Sequence, residues 1–167
     1  MIVFTDIDGV WTDGGMIYHD NGTEGKMFNV KDGGGVALLK SVGFKTGVIT
    51  GESTEVVDRR VKKLKFDYYF KACKAKLNSI KELCKTEGFE LENIAYIGDD
   101  INDIELLSNV GFSACPSDAP AYIKNIVSHV CSKRGGDGVF REFVEIILEK
   151  ENLLEIALKN YLKSQDQ

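Results

Sequence analysis

The 167-residue chain has no C-x-x-C pair and only two histidines. Its cysteines, Cys73, Cys84, Cys115 and Cys131, are widely spaced, which argues against a zinc site and against a disulfide framework in a chain this long. Reduced, mostly packed thiols in a cytosolic protein are the expectation. No lysine-rich block stands out and the net charge is -5, so nucleic acid is not an expected partner. No apolar run is long enough to span a membrane and no basic leader precedes the first apolar stretch, so neither a membrane segment nor a signal peptide is expected. Internal repeats, low-complexity tracts and linkers are also lacking, which leaves one domain over residues 1–167.

Hydrophobic residues make up 43% and charged residues 28%, an ordinary globular composition. Short apolar runs alternate with helical patterns, and this predicts an α/β fold with a doubly wound parallel sheet. Ile2–Thr5 reads as a buried strand. Met16–Tyr18 and Lys26–Val30 read as two strands of a hairpin flap over about residues 16–30, with Asn21-Gly22 as its turn signal. Asp32 reads as the N-cap of a helix that ends at Gly43. Strands are expected at 44–50, 68–70, 94–97, 112–114 and 127–130. Residues 133–138 read as a mobile glycine-rich link, and the C-terminal helices are expected within about 139–163.

Four signals fall at strand ends or helix starts along this succession. Asp6 and Asp8 close the first strand, before Gly9. Two close carboxylates repel unless a cation, a shared proton or a positive ligand offsets them. They suit divalent metal and phosphoryl chemistry, and a polar Asp-Gly turn is the plain alternative. Thr50 ends the second strand of the sheet. Lys76 stands in the first turn of a helix, where the helix dipole disfavours it, a hint of another task. Gly98-Asp99-Asp100-Ile101-Asn102-Asp103 closes a later strand with a cluster of acids.

In order and spacing, Asp6-x-Asp8, Thr50, Lys76 and Gly98-Asp99 with Asp103 resemble the four motifs of the haloacid dehalogenase superfamily of phosphohydrolases. The resemblance implies a Rossmann-like sheet of that type. It makes Asp6 a nucleophile that forms an aspartyl-phosphate, and Asp8 the general acid and then base. It implies Mg²⁺ held by Asp6, Asp99 and the backbone carbonyl of Asp8, with Asp103 or Asp100 supporting through water. Thr50 and the Gly51 N–H would bind phosphate, and Lys76 would neutralise phosphate and nucleophile.

Residues 9–49 and 51–75 are filled by a hairpin, helices and one strand, which leaves no room for a cap domain. Thr5 to Gly15, Phe28-x-x-x-Asp32-Gly33 and Gly135-Gly136-x-Gly138-Val139-Phe140-Arg141-Glu142 resemble the capless phosphatases of 2-keto-3-deoxy sugar acids. That group implies a homotetramer whose neighbouring subunits complete the site. Glu52 after Thr50-Gly51 looks like the type acting on KDN or N-acetylneuraminate 9-phosphate, with KDO 8-phosphate as the alternative substrate. Arg60 and Lys63, on one helix face, are candidates for the sugar-acid carboxylate. A non-catalytic assembly domain, like the one fused to some CMP-sialic acid synthetases, is the alternative of another class.

Overall fold

In the computed structural model, which describes residues 1–165, strands and helices alternate apart from an early hairpin and a closing pair of helices. It enters through β1 (Ile2–Thr5), makes a hairpin of β2 (Ile17–Tyr18) and β3 (Glu24–Gly25), and returns through α1 (Val30–Ser41) to β4 (Lys45–Ile49). Then come α2 (Glu55–Leu64), β5 (Tyr68–Phe70), α3 (Lys76–Glu87), β6 (Ile94–Ile97), α4 (Ile104–Leu107), β7 (Phe112–Cys115), α5 (Ala121–Lys124), β8 (His129–Val130), α6 (Val139–Lys150) and α7 (Leu154–Gln165). Six strands form one parallel sheet in the order β5-β4-β1-β6-β7-β8. Among the described residues no helix is long and apolar enough to cross a membrane.

β1 lies at the centre, paired with β4 on one side and β6 on the other. Its side chains alternate between two cores, as strand geometry requires. Ile2 and Phe4 join Ile80, Tyr96, Leu106 and Ile123 under α3, α4 and α5. Val3 joins Val36, Leu39, Phe140 and Phe143 under α1 and α6. Burial on both faces is why β1 reads as an unbroken apolar run. The chain builds outward from β1 to β5, then crosses back to add β6 on the other side. The carboxyl ends of β1 and β6 therefore flank the switch point where an open α/β sheet collects ligands.

The hairpin differs from its expected outline. Lys26–Val30 is not its second strand: β3 ends at Gly25, and Val30 already begins α1. Asn21 and Gly22 sit inside the loop joining the strands, where His19 N–H donates to the Thr23 carbonyl at 2.9 Å. The Asn21 carboxamide accepts from the Thr23 N–H and hydroxyl, and this local pairing fixes the loop.

Asp32 does not cap its own helix. Asn29 does, accepting the Lys31 N–H at 3.0 Å. Asp32 is fully buried and accepts the Arg141 N–H at 2.9 Å, so it caps the start of α6 from a neighbouring helix. The glycines beside it allow that approach: a Cβ on Gly34 would lie 2.7 Å from Arg141 Nη1, and one on Gly35 3.3 Å from Val144 Cγ2. A run that reads as a turn is thus the contact surface between two helices.

Burial raises the Asp32 carboxyl to about 6, against the pull of the Arg141 N–H, Arg60 and Lys133. The folded chain then holds this proton more tightly than the unfolded chain, whose carboxyl titrates near 3.8. The stability it contributes is complete below the unfolded value and is lost as pH rises through about 6. Asp32→Asn, which keeps an acceptor for Arg141, is expected to remove a decline on the order of 2–3 kcal/mol between about pH 4 and pH 7. Urea midpoints of both proteins across that range measure it, and parallel curves would refute it.

The link at 133–138 is fixed rather than mobile. Gly136 N–H donates to the Val10 carbonyl at 2.9 Å, and Gly135 N–H to Asp118 at 3.0 Å. A Cβ on Gly135 would lie 2.1 Å from the Gly9 carbonyl oxygen. These glycines let the link press on the loop after β1.

Candidate active site

The loop after β1 carries Asp6 into the switch point. Its N–H donates to the Ile97 carbonyl at 3.0 Å, which continues the pairing of β1 with β6 by one residue. Oδ1 of Asp6 accepts the Ile7 N–H at 2.8 Å, and Oδ2 pairs with Lys76 Nζ at 2.9 Å. Gly9 then turns the chain with φ +81° and lies so close to Asp99 that a Cβ would fall 1.9 Å from Oδ2. Only glycine satisfies both demands.

Lys76 opens α3, and its side chain is almost wholly buried among acids. Nζ lies 2.6 Å from Asp103 Oδ1 and 3.2 Å from the Tyr96 hydroxyl. Burial opposes its charge, but Asp6 and Asp103 outweigh that and hold its pKa above the ordinary lysine value. The cation that the helix dipole disfavours is thus held there by two carboxylates. Tyr96 also donates to Asp103 Oδ1, while Asp103 Oδ2 accepts the N–H groups of Asp99 and Asp100 at 2.9 and 3.2 Å. Both oxygens of Asp103 are therefore occupied by protein donors, and it serves as an anchor for Lys76 and the β6 loop.

One carboxylate oxygen from each of Asp6, Asp99 and Asp103 falls within 4.8 Å of the others. Asp99 Oδ1 is buried with no hydrogen-bond partner among the described residues. Burial first, and then Asp103, raise Asp6 to about 7 despite Lys76. Burial, Asp6, Asp103 and Asp100 together raise Asp99 to about 8. A single lysine does not neutralise this cluster. The unpaired oxygen and the all-carboxylate donor set fit a hard divalent cation such as Mg²⁺. Asp6 and Asp99 are the side chains that would hold it.

Asp6, Asp8, Thr50, Gly51, Glu52 and Asp99 line one cleft of about 250 Å³, together with Asp100 and Asn102. Thr50 is buried, and its hydroxyl accepts the Glu52 N–H at 3.3 Å, which folds the loop after β4 into this cleft. The structure does not bring Arg60 and Lys63 here. α2 turns Val57 and Val61 inward, so Arg60 lies against the Trp11 and Phe28 rings, 5.7 Å from each centroid. With Lys63 and Arg59 it borders a separate cleft of about 260 Å³. Neither cation lines the cleft that holds Asp6, Asp8 and Asp99.

Three residues of the site escaped the sequence reading. Tyr96 looks like any core residue of an apolar strand. Asn102 sits among acids that draw attention from it. Lys26 directly follows the hairpin's second strand, and its buried ammonium pairs with Asp8 Oδ1. Strand alternation marks Tyr96 as facing the same core as Lys76, but no local signal places Lys26 at the site.

A parallel sheet with a buried lysine paired to an aspartate at its switch point, beside a carboxylate cluster that fits a divalent cation, suits metal-assisted phosphoryl chemistry. Residues 66–143 match the haloacid dehalogenase-like hydrolase family. The chain is 38% identical over 165 residues to the 3-deoxy-D-manno-octulosonate 8-phosphate phosphatase of Haemophilus influenzae, covering 97% of this chain and 91% of that protein. The enzyme of that name from Moraxella catarrhalis, solved with magnesium, phosphate and KDO, is 34% identical, superposes with a TM-score of 0.92, and is covered over 96% of this chain and 92% of its own. The cobalt-bound Haemophilus influenzae phosphatase is 36% identical with a TM-score of 0.89, over 96% and 95%. The chain belongs to the haloacid dehalogenase superfamily, in its capless group of 2-keto-3-deoxy sugar acid phosphatases, and is a phosphoric monoester hydrolase.

Proposed function

We propose that the chain hydrolyses 3-deoxy-D-manno-octulosonate 8-phosphate with Mg²⁺ through an aspartyl-phosphate. The observation that carries the reaction is Asp6, buried at the switch point with one oxygen held by Lys76 and the other by a backbone N–H. In this reading Asp6 attacks phosphorus in line with the sugar oxygen, and Asp8 gives that oxygen its proton as the P–O bond breaks. Water then attacks the phosphoryl group, Asp8 takes the proton back, and the Asp6–phosphorus bond breaks. Lys76, Thr50 and the Gly51 N–H bind the phosphoryl oxygens. Mg²⁺, when bound, offsets the negative charge of phosphate and carboxylates.

The similar enzymes support the eight-carbon acid. Glu52 and the resemblance of its loop pointed instead to nine-carbon acids, and the relatives described above lend that expectation no support. Glu52 nevertheless lines the cleft, and Ser53 and Thr54 beside it border a second space of about 320 Å³ against the hairpin loop at Gly22–Glu24. The sugar body would extend that way. A panel of KDO, KDN and N-acetylneuraminate phosphates with Mg²⁺ tests the assignment. At least tenfold preference in kcat/KM for KDO 8-phosphate is expected, about 1.4 kcal/mol in the barrier. An equal preference for a 9-phosphate would return specificity to Glu52.

A homotetramer is part of the same reading. Met16, Ile17, Tyr18 and Met27 are exposed on or beside the hairpin, and among the described residues no lysine or arginine lines the cleft to take the sugar carboxylate. A neighbouring subunit would cover the first and supply the second. Sedimentation equilibrium tests this, and a monomer at micromolar concentration would refute it.

A further inference from the structure

The Lys26 side chain is 1% exposed although it directly follows a hairpin whose Ile17 and Tyr18 are exposed. β2 and β3 pair only with each other, and a lone two-stranded hairpin is marginal in water. Its buried ammonium meets Asp8 Oδ1, and its other near contact is the Met16 sulfur at 3.6 Å. Burying an ammonium is costly unless a partner offsets it, so the hairpin's position and the orientation of Asp8 are bound together. The two Asp8 oxygens are consequently unlike. Oδ1 is held by Lys26, whereas Oδ2 is buried with no hydrogen-bond partner among the described residues.

We propose that Lys26 is a positioning residue for the acid–base carboxylate: by pinning Oδ1 of Asp8 it leaves Oδ2 to carry the exchanged proton. This rests on the acid–base reading of Asp8 given above. In the first half of the reaction the proton leaves Oδ2 for the bridging sugar oxygen as the P–O bond breaks. In the second half a water proton moves to Oδ2 as the water oxygen bonds to phosphorus. Lys26 takes no part in the exchange and fixes which oxygen faces it. The hairpin thereby becomes part of the chemistry as well as a cover.

Leaving-group dependence separates this role from a structural one. The phenolate of p-nitrophenyl phosphate departs without a proton, whereas a sugar alkoxide needs one. The second half of the reaction is common to both substrates, so the rate compared is that of leaving-group release in a single turnover: with the sugar-acid phosphate that the panel ranks first, Lys26→Met is expected to lower it about 10²-fold, and with p-nitrophenyl phosphate less than about fivefold. Lys26→Arg keeps a cation and should hold the ratio of the two rates within about fivefold of the unmodified protein, and it serves as the test if the methionine variant does not fold. Equal losses on both substrates, or an equal rise in KM, would make Lys26 a phosphate ligand or a hairpin support and overturn the proposal. Asp8→Asn is measured alongside. If it shows no selective loss, the acid–base reading itself fails; if it does and Lys26→Met does not, only the role of Lys26 falls.

Discussion

Asp6→Asn is expected to lose turnover by at least ~10⁴-fold, on the scale seen when a covalent nucleophile is removed, while the fold persists. The asparagine removes both the buried charge and its ion pair with Lys76, two effects of opposite sign on stability. The metal-free unfolding temperature should therefore move by no more than about 5 °C. The response to Mg²⁺ should change sharply. Millimolar Mg²⁺ is expected to raise the unfolding temperature of the unmodified chain by mass action, because it binds only the folded carboxylate set. Asp6→Asn should lose most of that gain. Phosphate release within tenfold of the unmodified rate would remove the covalent mechanism, and an undiminished Mg²⁺ response would remove Asp6 from the metal set.

Lys76→Met should destabilise the chain more than any other single change in the site, by about 3–5 kcal/mol at pH 8, because it leaves buried carboxylates without their cation. Asp6, Asp103 and the Tyr96 hydroxyl all lose a partner in one step. For a chain of this size the cost corresponds to a fall of roughly 10 °C in unfolding temperature. The loss should depend on pH. Asp6 and Asp99 already titrate near 7 and 8 in the metal-free site, raised above their unfolded values. The destabilisation is therefore least below about pH 5, where both carry protons, and grows as pH rises through 7 and 8. In the proposed reaction Lys76 also binds the phosphoryl group, and its loss should lower kcat about 10²–10³-fold. Thermal unfolding at pH 5 and pH 8 measures the first effect, and an unfolding temperature within 2 °C of the unmodified chain at pH 8 would contradict it.

The sequence by itself determined the succession of strands and helices, because alternating apolar runs and glycine stops are local signals. It also determined that Asp6, Asp8, Thr50, Lys76 and Asp99 stand at positions that a parallel sheet brings to one end, since each follows a strand or opens a helix. The odd placement of Lys76 was legible for the same reason: a cation in a first helical turn runs against the dipole. Tertiary structure decided the rest. Asp103 is read in sequence as support for a metal, but only the fold surrounds it with Lys76, Tyr96 and two N–H groups that occupy its oxygens. Asp32 is read as a cap for the helix it begins, yet the packing of α1 on α6 gives it to another helix, through glycines whose small size matters only across that contact. Arg60 and Lys63 share a helix face in any reading, and the inward turn of Val57 and Val61 decides that this face leads away from the acids. Lys26 shows the limit most clearly. Its pairing with Asp8 joins residues far apart along the chain through a short hairpin, and nothing local to either residue records where the hairpin will fold.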